Sequence, residues 1–372
     1  MIIGVLKEPS FESRVSLLAE AVTVLIKKGI QVWIEPGAGA KAYCSDEEYV
    51  KDGGLIKSMD EIVKQADVLL FIHPETIPTG LQNKIIIGVY QPLYHTELMN
   101  KWAAQRIICF SLDMLPRTTR AQSMDVLSSQ ANIAGYKAVL LAANIFPRYF
   151  PMFITAAGSI PPAKILVLGA GVAGLQAIAT AKRLGAVVEV FDTRPAVKEE
   201  VHSLGGKFIE VEGAADPSSG GGYAVEQTAE FQQKQKEKIA ESIAKADIVI
   251  TTAQIPGKKA PILVTTDMIE AMKSGSVIID IAAATGGNTE LTKNNETINH
   301  KGVHIVGDSA LAADLPYDAS KLYGKNILNF LQLLLDKEGN LHLNFEDELV
   351  KGCCITHDGK IVNERVNALL SK

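Results

Sequence analysis

Cysteine is scarce in this 372-residue sequence: Cys44, Cys109, Cys353 and Cys354 are the whole set, and none has the spacing of a metal-ligand set. Vicinal Cys353–Cys354 is a poor disulfide candidate, so the chain reads as one made for a reducing cytoplasm. Clustered Lys and Arg are missing as well. The formal net charge is -5, which argues against a nucleic-acid surface. No apolar stretch is clean and long enough to span a bilayer; the longest uncharged run, Ile165–Ala181, is dense in glycine. The start, "MIIGVLKEPSFESR", carries Lys7 and Glu8 too early for a signal peptide. These absences leave a cytoplasmic globular protein, and any membrane role would have to come through a partner.

Apolar residues make up 47% and charged residues 21%, an ordinary balance for two domains in a chain of this length. Short β-rich runs alternate with amphipathic helical stretches. The expected strands are Ile2–Leu6, Gln31–Ile34, Val68–Ile72, Ile85–Val89 and Ile107–Ser111, then Lys164–Leu168, Val187–Phe191, Lys207–Glu210, Asp247–Thr251, Ser276–Ile281 and Val303–Val306. Such alternation predicts an α/β protein with two doubly wound, Rossmann-like domains, parallel sheets, long joining helices and a cleft between the domains.

The stretch 123–146 lacks glycine and proline except Gly135, and Pro147 would end it, so it reads as a long helix carrying the chain into the second domain. A second helical pattern, 320–336, could bring the chain back. The expected domains are 1–125 with 330–372, and 126–329. Residues 218–247 open with a triple glycine beside Tyr223 and pass into a charged helix. That segment is either a mobile flap over a ligand or a surface loop.

Gly169, Gly171 and Gly174 form G-A-G-V-A-G, which follows a strand, opens a helix and precedes a second strand ending at Asp192. In that setting the pattern signals a dinucleotide cradle. Gly169 permits the tight turn, Gly171 lets the backbone approach a pyrophosphate, and Gly174 allows close helix–strand packing. The helix start offers unpaired N–H groups and the positive end of its dipole. Asp192 should accept hydrogen bonds from the adenosine ribose and repel a 2′-phosphate, favouring NAD over NADP, although Arg194 stands two residues on. "PGAGAKAY" (36–43) lacks the third glycine and follows the second strand of its unit.

Residues 114–139 hold Arg117, Arg120, Gln122, Ser123, Asp125 and Ser128 within twelve positions. Alone, these suit a capped helix start, with Ser123 as N-cap and Arg–Asp pairs at the surface. Taken together with the cradle, "PRTTRAQSMDVLSSQANIAGY", "GAGVAGLQAIATAKRLGA", "TTAQIPGKKAP", "GSVIIDIAAATGGN" and "FEDELVKG" resemble, in this order, the NAD(H)-binding component of proton-translocating nicotinamide nucleotide transhydrogenase. The alanine dehydrogenases share that fold, and the similarity runs almost end to end.

The resemblance implies that Arg117, Gln122 and Asp125 grip the nicotinamide end, with Ser123, Met124 and Ser128 beside it. Ala170, Gly171, Val172, Asp192, Thr193 and Arg194 would line the adenosine half. Gly222, Tyr223 and Gln235 would belong to a mobile loop, with Gln254 near the nucleotide where the family carries leucine. It also implies a homodimer that binds NAD(H), docks on a subunit carrying NADP(H), and reaches the membrane through membrane-spanning subunits.

The competing reading is an amino-acid dehydrogenase of the alanine dehydrogenase type. That chemistry requires a base and cations for the substrate carboxylate, which the family supplies with a His, an Asp, a Lys and an Arg. Arg14 fits the Arg. The His position falls on Tyr90 or Gln91, with His95 too late; the Asp is replaced at Ala284; and "LLFIHPE" has no Lys, His73 reading as a strand-end residue. Direct hydride transfer between two nicotinamide rings needs none of these groups. It needs positioning and exclusion of water.

Overall fold

Along the run 68–71, Val68 and Leu70 enter one apolar cluster while Leu69 and Phe71 enter another. Residues 165–168 behave alike: Ile165 and Val167 face one cluster, Leu166 and Leu168 a second. A strand buried on both faces belongs to a sheet covered by helices on both sides. The computed structural model describes residues 1–76, 78–211 and 228–370. These form two compact units, Met1–Gln130 with Ala313–Lys372, and Ala131–Ala312.

The first unit contains β1 (Ile2–Val5), β2 (Gln31–Ile34), β3 (Leu55–Ile56), β4 (Val68–Leu70), β5 (Ile85–Gly88) and β6 (Ile108–Ser111). They pair in parallel in the order β3-β2-β1-β4-β5-β6. The helix Val126–Ile145 then carries the chain into the second unit. There the hairpin β7 (Phe153–Thr155) and β8 (Gly158–Ile160) stands apart. It is followed by β9 (Lys164–Leu168), β10 (Val187–Phe191), β11 (Lys207–Phe208), β12 (Ile248–Thr251), β13 (Val277–Asp280), β14 (Glu296–His300) and β15 (Val303–Gly307), ordered β11-β10-β9-β12-β13-β15-β14. The helix Pro316–Leu331 belongs to the first unit. After the short helix Glu348–Cys353, β16 (Cys354–His357) and β17 (Lys360–Ile361) extend the first sheet beyond β6.

Both sheets are mostly parallel, as expected, with antiparallel strands at their edges. Strand β14 runs antiparallel to β15, and β16 is antiparallel to both β6 and β17. The physical cause lies in the turns. Lys301–Gly302 joins β14 to β15 and Asp358–Gly359 joins β16 to β17, each with two consecutive positive φ angles. Such two-residue turns close hairpins, whereas parallel neighbours need a crossover.

In each sheet the strand order reverses beside the first strand, between β1 and β4 and between β9 and β12. The carboxyl ends of those pairs are where doubly wound sheets open a crevice for ligands. No helix among the described residues is long and apolar enough to cross a membrane.

Candidate functional site

At the end of β9 the three glycines of the cradle serve three separate purposes. Gly169 has φ +104°, and a Cβ there would stand 2.4 Å from Thr252 Oγ1 on the segment after β12. Gly174 lies in the helix Val172–Arg183, and a Cβ there would stand 1.9 Å from the Gly169 carbonyl oxygen. Gly171 is that helix's N-cap, with no side-chain cap, and nothing among the described residues lies within 4 Å of its Cβ position. The space beside this uncapped first turn is therefore open among the described residues. An uncapped helix start behind a glycine with room for a phosphate fits a pyrophosphate. Gly135 supports the same turn from behind, since a Cβ there would meet the Ala173 carbonyl oxygen at 2.1 Å.

Asp192 follows β10, and its carboxylate is nearly buried. Oδ2 accepts the Ala170 N–H at 2.7 Å, which ties the acid to the glycine turn. The Arg194 N–H and Nε reach Oδ1 at 2.8 and 2.9 Å, and Nη2 reaches Oδ2 at 2.8 Å. The hydrogen bond to Asp192 holds the Arg194 guanidinium above its ordinary pKa despite partial burial. Thr193 between them is half-buried.

Gln254 is exposed, and its Nε2 donates to the Ile281 carbonyl at 3.3 Å. Its neighbourhood is built by Asn288, a fully buried residue that carried no signal in the sequence. Asn288 Oδ1 accepts the Ala253 N–H at 3.0 Å, and Nδ2 donates to the carbonyls of Ala253 and Pro261 at 2.8 and 2.9 Å. Its own N–H donates to Asp280 Oδ2 at 2.6 Å. One amide side chain thus fixes the segment that flanks Gly169. Gln235 is half-buried on the helix Ala229–Ile243. Gly222 and Tyr223, and with them the expected flap, lie outside the described residues.

In the first unit, Thr119–Met124 form a 3-10 turn ahead of the helix Val126–Ile145. Arg117, Gln122 and Ser123 are exposed, Asp125 and Ser128 half-buried, while the Met124 side chain joins the core. The N-cap is Asp125 rather than Ser123. Its Oδ1 accepts the Ser128 N–H at 2.9 Å and its Oδ2 the Ser128 hydroxyl at 2.5 Å. Ser123 instead offers its carbonyl to Asn326 and Asn329, each at 2.9 Å, from the helix Pro316–Leu331. Arg120 pairs with Asp347, which also caps the helix Glu348–Cys353. The "FEDELVKG" segment therefore anchors the 117–128 loop from the far end of the chain.

Charged residues gather beyond the carboxyl ends of β1 and β4. Glu8 accepts the Ile72 N–H at 2.6 Å and the His73 N–H at 3.3 Å. Burial pushes its carboxyl up to about 7, with the Ile72 amide pulling the other way. Glu12 is also buried, yet hydrogen bonds from Arg14 and His73 outweigh burial and hold it well below the usual carboxylate range. Arg14 donates from Nε and Nη2 to Glu12 at 2.9 and 2.6 Å and from Nη1 to Gln130 at 2.9 Å. His73 Nε2 lies 2.6 Å from Glu12. Glu8 and Glu12 went unassigned in the sequence because Ile72 and His73, which bond them, come from the segment after β4.

The alanine dehydrogenase/PNT N-terminal domain model matches residues 4–134, and the C-terminal domain model of the same name matches 138–364. The chain belongs to the alanine dehydrogenase/PNT family. Within that family it is 46% identical to a Rickettsia prowazekii protein named as the first portion of NAD(P) transhydrogenase subunit alpha, over 95% of this chain and 93% of the relative. The solved transhydrogenase structure from Sinorhizobium meliloti is 45% identical, with a TM-score of 0.88, covering 97% of this chain and all of that one. A solved L-alanine dehydrogenase superposes with a TM-score of 0.83 at 22% identity, covering 100% of this chain and 99% of that one, a likeness of fold alone.

Family membership directs attention to the positions an amino-acid dehydrogenase would use. Tyr90 is buried, and its hydroxyl finds no partner among the described residues. Gln91 and His95 are exposed, and Ala284 sits exposed in a 3-10 turn. No group of His, Cys, Asp and Glu among the described residues could hold a metal ion.

Proposed function

We propose that this chain is the NAD(H)-binding alpha component of an NAD(P) transhydrogenase, a homodimer that docks on a separate NADP(H)-binding subunit and lies at the membrane through membrane-spanning subunits. When bound, NADH supplies a hydride that passes directly to NADP+ on the partner, a transfer the membrane subunits couple to proton translocation. The relatives named as subunit alpha of that enzyme support the assignment.

The chain's own residues position rather than exchange protons. Backbone amides at Gly171 and Val172 would meet the pyrophosphate, with Gly169, Ala170 and Gly174 shaping the turn that presents them, and Asp192, with Thr193 and Arg194, would meet the adenosine ribose. In the first unit's loop, Gln122 and Ser128 have the amide and hydroxyl that can hydrogen-bond a carboxamide and set its rotation, beside Ser123 and Met124. Arg117 supplies positive charge, and Asp125 shapes the loop by capping the helix that follows. By resemblance, Gly222, Tyr223, Gln235 and Gln254 complete the set.

The observation that carries the nucleotide reading is the open N-cap at Gly171, set between two glycines that packing requires. Against amino-acid oxidation stands Arg14, whose guanidinium is committed to Glu12 and Gln130. The purified chain given NADH and an NADP+ analogue is expected to turn over negligibly alone and strongly once the NADP-binding partner is added. Oxidation of alanine by the chain alone would overturn the assignment.

A further inference from the structure

An ionised carboxylate offers about four lone-pair sites for hydrogen bonds, and every one at Asp192 is taken. Two donors are backbone amides, Ala170 N–H and Arg194 N–H, fixed by the turns they belong to. The other two are Nε and Nη2 of Arg194, a planar fork matched to the carboxylate. Ribose hydroxyls can therefore reach Asp192 only where Arg194 lets go. We infer that Arg194 is a specificity-determining residue that competes with the adenosine ribose for Asp192. Once displaced, it provides a cation for a 2′-phosphate.

This inference rests on the nucleotide reading of the cradle. The displacement moves the Arg194 side chain and leaves its backbone in place. Arg194 precedes Pro195, which restricts it to extended backbone, and its φ of -94° and ψ of 108° conform. The Arg194 side chain is 21% exposed while that of Asp192 is 6% exposed, so the cation can swing outward and the acid stays. Asp192 alone would reject a 2′-phosphate by like charge. Arg194 weakens binding of the unphosphorylated ribose by occupying its site, and softens rejection of the phosphorylated one.

The test is equilibrium displacement of NADH, followed by its fluorescence, with ADP-ribose and 2′-phospho-ADP-ribose on the full chain. In Arg194→Gln, ADP-ribose should bind roughly two- to fivefold tighter, the worth of a partly exposed ion pair. The 2′-phosphorylated ligand should bind roughly tenfold weaker, having lost a charge-assisted partner. Arg194→Lys keeps the charge without the fork, so it should tighten ADP-ribose while leaving the 2′-phosphorylated ligand near the parent value. Equal weakening of both ligands in both variants, or no change in either, would overturn the competition while leaving the cradle assignment in place. Failure of ADP-ribose to displace NADH from the parent, or failure of NADH to bind, would overturn the cradle reading and this inference with it.

Discussion

Gly171→Ala adds one methyl group at a position with nothing among the described residues inside 4 Å, on backbone of φ -77° and ψ -170° that any residue adopts. Alanine is a slightly poorer N-cap than glycine by a few tenths of a kcal/mol or more. The reduced freedom of the unfolded chain offsets this by about 0.4–1 kcal/mol, so stability should stay within roughly 0.5 kcal/mol of the parent. The methyl group would nonetheless fill the space a pyrophosphate needs. Losing one charge-assisted contact costs about 1.5–3 kcal/mol, or roughly ten- to hundredfold in Kd for NADH. Gly174→Ala is the contrasting change. Its methyl carbon would fall 1.9 Å from the Gly169 carbonyl oxygen, so strand and helix must separate. Overpacking of that kind costs about 1–3 kcal/mol or more, a fall of roughly 2–4 °C in Tm per kcal/mol for a unit of this size. Thermal unfolding and an NADH fluorescence titration on both variants separate the two effects. Parental NADH affinity in Gly171→Ala would refute the placement of the pyrophosphate, and parental Tm in Gly174→Ala would refute the packing argument.

The crevice of the first unit predicts a pH effect through Glu8. Its folded carboxyl is raised from 4.5 to about 7, so the stability it contributes is fully present below about pH 4.5 and lost as pH rises through 7. That rise corresponds to about 3 kcal/mol. Glu8→Gln should therefore gain stability relative to the parent between pH 5 and pH 8 in urea unfolding, and parallel pH profiles would exclude a raised Glu8 carboxyl. Asn288→Ala strands the Ala253 amide and the half-buried carbonyls of Ala253 and Pro261. A loss of about 2–4 kcal/mol is expected, with weaker NADH binding through the displaced segment beside Gly169. An unchanged Tm and Kd would show that other contacts hold that segment.

Local pattern alone carried a good deal of this protein. Short apolar runs marked most strands of both sheets, and G-A-G-V-A-G, with Asp192 closing the next strand, marked the glycine turn that opens the helix Val172–Arg183. Those features are written in residues close together in the chain, where a short apolar run or a glycine spacing has one physical meaning. The antiparallel edges had a local signal too, in Asp358–Gly359 and Lys301–Gly302, but the helix-rich setting hid it. Other features had no local signal. Ser123 and Asp125 are equally good N-caps on paper, and the choice between them follows from Asn326 and Asn329, which hold the Ser123 carbonyl from the helix Pro316–Leu331. Glu8 becomes a buried acid because strand order lays β1 beside β4 and brings the Ile72 amide to it from 64 residues away. The occupancy of Asp192 likewise depends on where the Ala170 amide and the Arg194 fork come to rest. Sequence periodicity decides which segments become strands and helices, whereas a buried polar group takes its character from whichever distant donors the strand order sets against it.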